Sequence, residues 1–174
     1  MKTSKDMTNS EIAALFRDVA AVYEVIGEDR FRIRAYDTAA ESIEKTTTSL
    51  KDLWQQHQLA DVSGIGPALA GHLDELFTTG RVKHFDSIMA KVPPAMFEIL
   101  DVPGIGPKTA LKLAQSLKLK ASTAKEQLLQ AARSGKISQN IITALQKLPQ
   151  AHEGRILLVD AERLPRGGLG CLGH

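Results

Sequence analysis

Cysteine occurs once in this 174-residue chain, as Cys171, which excludes an internal disulfide and a cysteine cluster for zinc. The histidines His57, His72, His84, His152 and His174 have no paired metal-ligand spacing, so no zinc site is expected. No hydrophobic run approaches the roughly 20 residues of a membrane-spanning helix. The first residues pass from a polar cap into an amphipathic pattern without a signal-peptide stretch, so a reducing cytoplasmic setting is expected. Strand signals are nearly missing as well. Only Arg155–Val159 reads as extended, and five residues without a partner make no sheet.

Helical periodicity fills most of the rest, and the fold class expected is all-α, built from short helices. Thr8 and Glu11 have the spacing of a capping box. Ile12, Phe16, Val19, Tyr23 and Ile26 follow on one helix face, and Gly27 closes the helix. A second helix is predicted over Arg32–Lys45, and a third through Leu50, Leu53, Trp54 and His57. Thr123 and Glu126 form a second candidate capping box, ahead of Leu128, Leu129 and Ala132. Ile141, Ile142, Leu145 and Leu148 predict a late helix. Trp54 and Phe85 read as core anchors. Among Arg30, Arg32 and Arg34, some are expected to pair with Glu28, Asp29 or Asp37, and Arg32 is the candidate for a ligand contact.

The formal net charge is only +2, but it is unevenly spread. Residues 1–102 hold 11 basic and 16 acidic side chains, whereas residues 103–147 hold 8 basic side chains against Glu126 alone. So basic a segment is a candidate contact for a polyanion.

An internal repeat gives that charge a setting. Asp61-Val62-Ser63-Gly64-Ile65-Gly66-Pro67 recurs forty residues later as Asp101-Val102-Pro103-Gly104-Ile105-Gly106-Pro107. Each copy lies between apolar helices. Glycines allow positive φ and close backbone approach. The isoleucine between them can tuck under the turn, and proline suits the first turn of the next helix. The unpaired amides at that helix start, helped by the helix dipole, favour an anion. If the anion is a nucleic-acid phosphate, the contact carries little base information. Copy two adds Lys108 and Lys112 on its second helix, where copy one has Ala68 and His72, so the stronger grip is expected at copy two.

These repeats resemble tandem helix-hairpin-helix motifs. With Asn9–Phe16, the run Gly27–Tyr36, then Ala39, Ala40 and Ile43, residues 8–160 resemble the amino-terminal region of bacterial and archaeal family X DNA polymerases, relatives of DNA polymerase beta. The resemblance implies a polymerase-beta-like helical domain with the first hairpin over residues 1–92 and a second helix-hairpin-helix domain over 93–150. A connector and a Gly-rich tail, 151–174, would follow, with the tail expected to be unstructured.

It also implies non-sequence-specific DNA binding in repair, on gapped, nicked or single-strand/double-strand junction DNA. Backbone phosphates would be held by Gly64, Gly66, Gly104, Ile105, Gly106, Lys108, Thr109 and Lys112. A monovalent cation, K+ or Na+, would sit on the carbonyls of Leu100, Val102 and Ile105, with Ala60, Val62 and Ile65 as the matching set. Arg32, Tyr36 and His72 fall in the family's 5′-phosphate pocket. A monomer, nucleoid-associated and without a membrane role, is expected.

Departures from the family limit the chemistry. The acids after Leu148 are Glu153, Asp160 and Glu162, too few for a two-metal polymerase site. His72 stands where lyase-competent relatives carry the Schiff-base lysine, and Ala68 replaces a phosphate-binding lysine. Imidazole forms no stable imine, so an abasic-site lyase would need the amino terminus, Lys83 or Lys108. The remaining alternative is a scaffold for a separately encoded polymerase palm or a repair protein.

Overall fold

The computed structural model describes residues 6–146, which are helical and contain no strand. Nine α-helices follow in order: α1 (Asn9–Ile26), α2 (Arg30–Lys45), α3 (Leu50–Gln55), α4 (Pro67–Thr79), α5 (Lys83–Met89), α6 (Ala95–Leu100), α7 (Pro107–Ser116), α8 (Ala124–Arg133) and α9 (Gln139–Gln146). Short 3-10 turns at Leu59–Asp61 and Ala121–Thr123 lead towards α4 and α8. None of the described helices is long and apolar enough to cross a membrane.

Helix α1 is the central element, and its start and stop are encoded locally. The Thr8 hydroxyl accepts the Glu11 amide at 3.3 Å while the Glu11 carboxylate accepts the Thr8 amide at 2.6 Å. Gly27 ends the helix in the left-handed conformation, φ 78°. In between, Ile12, Phe16, Val19 and Tyr23 are buried as the periodicity predicts, and Ala20 and Ala21 are buried beside them. Ile26 departs from that stripe and is 38% exposed, because the chain turns away at Gly27.

Helix α2 packs along α1, and α5 and α7 also lean on α1. Phe16, Tyr23, Tyr36 and Phe85 meet edge-on or tilted, with ring centroids 5.3–5.8 Å apart in the contacting pairs. This is the geometry that aromatic quadrupoles favour. Phe85 is thus the core anchor expected of it. Trp54 is half-buried, tilted over Phe77 at 5.4 Å, and donates to the Asp74 carboxylate at 2.7 Å.

The hydrophobic core runs without a break from Met7 to Leu128, across the boundary drawn at residues 92 and 93. Val92, Ala95, Met96 and Ile99 carry it from the first hairpin region into the second.

Three local expectations are corrected. Helix α2 starts at Arg30 rather than Arg32, because the Asp29 carboxylate caps it by accepting the Phe31 amide at 3.2 Å. His57 lies beyond the end of α3, exposed and with φ 57°, so it belongs to no apolar face. No capping box forms at Thr123. The preceding 3-10 turn leaves its backbone outside the extended N-cap conformation, and its hydroxyl turns to Gln127 at 3.3 Å. The late helix forms as α9, whereas Leu148, the Arg155–Val159 stretch and the tail with Cys171 lie outside the described residues.

Candidate nucleic-acid interface

The two hairpin loops have closely matching backbones. Gly64 has φ 82° and Gly104 φ 85°, a region that side chains rarely adopt. The following glycines, Gly66 and Gly106, are helix N-caps with φ/ψ of −79°/175° and −84°/173°. The Ile65 amide bonds the Val62 carbonyl at 3.1 Å, and Ile105 bonds Val102 at 3.0 Å. The first helical bonds, Ala70 to Gly66 and Ala110 to Gly106, are both 2.9 Å. Both isoleucines are buried and hold the turns closed.

Neither α4 nor α7 has a side-chain cap. Each begins with glycine then proline, so the amides of the first turn are left for an external acceptor. Gly64, Gly66, Gly104, Gly106, Lys108, Thr109 and Lys112 are all exposed. A Cβ on Gly66 or Gly106 would meet nothing within 4 Å. These glycines therefore leave room at the surface without being required by their own backbone angles.

Surroundings distinguish the two loops. Gly64 lies against α2, where an added Cβ would be 3.2 Å from the Ser42 hydroxyl and 3.3 Å from the Thr38 methyl. Gly104 is open. The second loop approaches α1 and α2 from another side. Lys108 shares a groove of about 580 Å³ with Arg30, Arg34, Asp37 and Glu41, which lie along one face of α2, and with Glu24 of α1. Burial chiefly, with Glu24 and Glu41 adding to it, raises the Asp37 pKa against the opposing pull of Arg17. Lys125 of α8 reaches Asp101 at 3.9 Å and ties the second loop to that helix.

The three residues of the implied 5′-phosphate pocket gather around a cluster that sequence reasoning did not assemble. His72 and His84 stack with centroids 5.2 Å apart and planes only 5° from parallel. Nε2 of His84 lies 2.6 Å from the Tyr23 hydroxyl, and the Arg32 guanidinium sits 5.9 Å from the Tyr23 ring centroid. Arg32 also pairs with Glu28 at 3.3 Å, as expected for one of the three arginines.

Tyr36 is only 4% exposed, beneath Tyr23, and burial holds its hydroxyl protonated far above the usual phenol range. The accessible face thus consists of His72, His84 and Arg32, with Tyr36 as support. Burial first, and then His84, lowers the His72 pKa, while Glu75 opposes the shift. Tyr23 was visible in the sequence only as a stripe residue, and His84 carried no spacing signal at all. The amine candidates Lys83 and Lys108 are exposed, and the amino terminus lies outside the described residues.

Backbone carbonyls of Leu100, Val102 and Ile105 suit a hard monovalent cation by donor type, since Val102 keeps a second lone pair after accepting from Ile105. No group of three or more His, Cys, Asp or Glu side chains that could hold a metal occurs among the described residues.

Comparison with known proteins agrees with this architecture. Residues 7–82 match the model of a helix-hairpin-helix domain, and residues 97–147 match that of a SAM-like helix-hairpin-helix tandem. The chain is 35% identical over 108 residues to DNA polymerase lambda of Arabidopsis thaliana, covering 60% of this chain and 19% of that protein. It is 27% identical over 167 residues to the DNA polymerase/3′-5′ exonuclease PolX of Bacillus subtilis (strain 168), covering 92% of this chain and 27% of that protein. The chain is related to the family X DNA polymerases. It spans about a quarter or less of the length of these two relatives.

Proposed function

We propose that this chain binds the sugar-phosphate backbone of DNA without reading its sequence, in the context of repair. Each hairpin holds one phosphate run through the exposed amides of the loop and of the following helix start. The observation that carries this reading is the pair of matching loops, each leading through a glycine N-cap into an uncapped helix start. The kinship with family X polymerases supports it. The second hairpin grips harder, because Lys108 and Lys112 add charge where the first has Ala68 and His72. A K+ or Na+ ion on the carbonyls of Leu100, Val102 and Ile105 would bridge loop and phosphate. The preferred substrate is gapped or nicked DNA, with a terminal 5′-phosphate against His72 and Arg32, and the chain acts as a monomer near the nucleoid.

Titration of gapped duplex at several salt concentrations tests this reading. Log affinity falls linearly with log salt as counterions are released. Lys108→Ala weakens binding alike on every sequence and lowers the slope by about one. Binding that ignores salt, or no binding, overturns the proposal. Lys83, adjacent in sequence to His84, keeps a lyase reading open to test, and borohydride trapping on an incised abasic site decides it.

A further inference from the structure

The groove that Lys108 shares with α1 and α2 leaves charges of both signs unpaired. Of its carboxylates, Glu28 is held by Arg32 at 3.3 Å and Glu41 by Lys45 at 4.0 Å. Arg30, Arg34, Lys108, Glu24 and Asp37 remain, all exposed, and none of them forms an ion pair among the described residues. Three cations and two carboxylates that line one groove without meeting leave a space for another molecule. At about 580 Å³ that space is within the range of small-molecule sites.

The order of charge along α2 gives the ligand's chemistry. Arg30 and Arg34 stand one turn apart in the first half of the helix, and Asp37 follows one turn later on the same face. Seven residues separate Arg30 from Asp37, a rise of about 10 Å. Guanidinium groups suit phosphate oxygens, which they bind as a bidentate fork, and Lys108 adds a point charge in the same groove. Asp37 requires something else. A carboxylate repels phosphate and accepts only from a donor, so the ligand must carry donors next to its phosphates. The vicinal diol of a ribose meets that need, as it does for the acidic side chain of dinucleotide sites. A DNA strand has no 2′-hydroxyl and its 3′-oxygens are esterified, so it leaves Asp37 unmatched. A polyamine would match the carboxylates and face three cations.

We propose that this groove binds a free ribonucleoside diphosphate laid along α2, with its phosphates on Arg30, Arg34 and Lys108 and its ribose diol on Asp37. Ile33 is the one large apolar side chain of the lining, so the identity of the base contributes little. Lys108 is also among the DNA contacts proposed above, so the bound diphosphate opposes DNA binding there. That consequence alone rests on the hairpin reading.

Calorimetric titration of the full chain with ADP, 2′-deoxy-ADP and inorganic pyrophosphate tests the site without DNA. ADP is expected to saturate, and the other two to bind at least tenfold more weakly, as the loss of hydrogen bonds to a charged group implies. Arg34→Ala lowers the affinity for ADP about tenfold, and Asp37→Ala removes the preference for ADP over 2′-deoxy-ADP. Arg133→Ala, which deletes an exposed cation of α8 outside the groove, keeps the parent affinity. Thermal melts report the folding of each variant, and exposed positions should melt like the parent. The proposal is overturned if ADP does not saturate, or if pyrophosphate binds as tightly as ADP, which marks a plain anion patch. It is equally overturned if Arg34→Ala binds like the parent, if Arg133→Ala loses as much as Arg34→Ala, or if the preference for ADP survives Asp37→Ala.

Discussion

The two hairpins differ in almost everything except their backbone. Their glycine angles agree within about 5° at the positions compared, and their loop hydrogen bonds agree within 0.1 Å. Yet the first loop is wedged under Thr38 and Ser42, while the second is open at Gly104 and followed by Lys108 and Lys112. A loop of this kind therefore separates two tasks. Backbone geometry offers the amides, and the neighbouring side chains decide how strongly a polyanion is drawn to them. The first hairpin has traded some of that attraction for a structural role against α2.

The sharpest break in the comparison comes from the second glycine of each loop. Gly66 and Gly106 occupy angles open to any residue, and a side chain there meets nothing of the protein. Gly66→Val and Gly106→Val should both melt close to the parent temperature. Each places a branched side chain where a phosphate must approach. Losing charge-assisted amide contacts worth about 1.5–3 kcal/mol corresponds to a ten- to hundredfold fall in DNA affinity. Gly106→Val should show that full loss by fluorescence anisotropy, and Gly66→Val a smaller one. Equal losses, or the reverse order, would mean that Lys108 and Lys112 do not set the ranking.

How far these features could be read from residues alone follows the range of the interaction. Capping of α1, its termination at Gly27 and the burial of Ile65 and Ile105 are local, and all were legible. So was the repeat, although the sequence does not say that its two glycines act differently, one through positive φ and the other through open space. The capping box at Thr123 failed because a 3-10 turn reaches that residue first. Long-range partners left no periodic trace. Asn9 donates to the carbonyls of Thr46 and Thr48 and accepts the Leu50 amide, joining chain segments some forty residues apart. His84 finds Tyr23 and His72 in the same way. Phe31, 82% exposed, was hidden for the opposite reason, since an apolar residue in a helix is expected inside.

A stability measurement probes the other half of the comparison. Alanine at Gly64 or Gly104 must adopt positive φ, at a cost of about 1–2 kcal/mol. At Gly64 the new methyl also crowds Ser42 and Thr38 at 3.2 and 3.3 Å, which adds about 1 kcal/mol more. Urea denaturation should therefore rank Gly64→Ala below Gly104→Ala. Adding Ser42→Ala to Gly64→Ala should recover part of the difference and should leave Gly104→Ala unaffected. If the two single variants are equally stable, the wedge against α2 has no energetic consequence.

The smallest expected effect concerns His72, the counterpart of Lys112 in the repeat. Burial and the stacked His84 lower its pKa in the folded chain, so between that value and the ordinary value of about 6.5 the unfolded chain binds more protons. Stability contributed by neutral His72 is therefore present above about pH 6.5 and is lost as pH falls through the folded pKa. A bound 5′-phosphate reverses the sign, because an anion favours the imidazolium. The affinity gained from a 5′-phosphate should then grow as pH drops from about 8 to about 6, measured as the ratio of dissociation constants with and without that phosphate. His72→Gln should flatten both the stability and the binding profile. Lys112→Gln, at the matching position of the second hairpin, should lower affinity by the same factor at every pH. A pH-independent phosphate preference in the parent chain would remove His72 from the phosphate site and leave it a packing residue beneath His84.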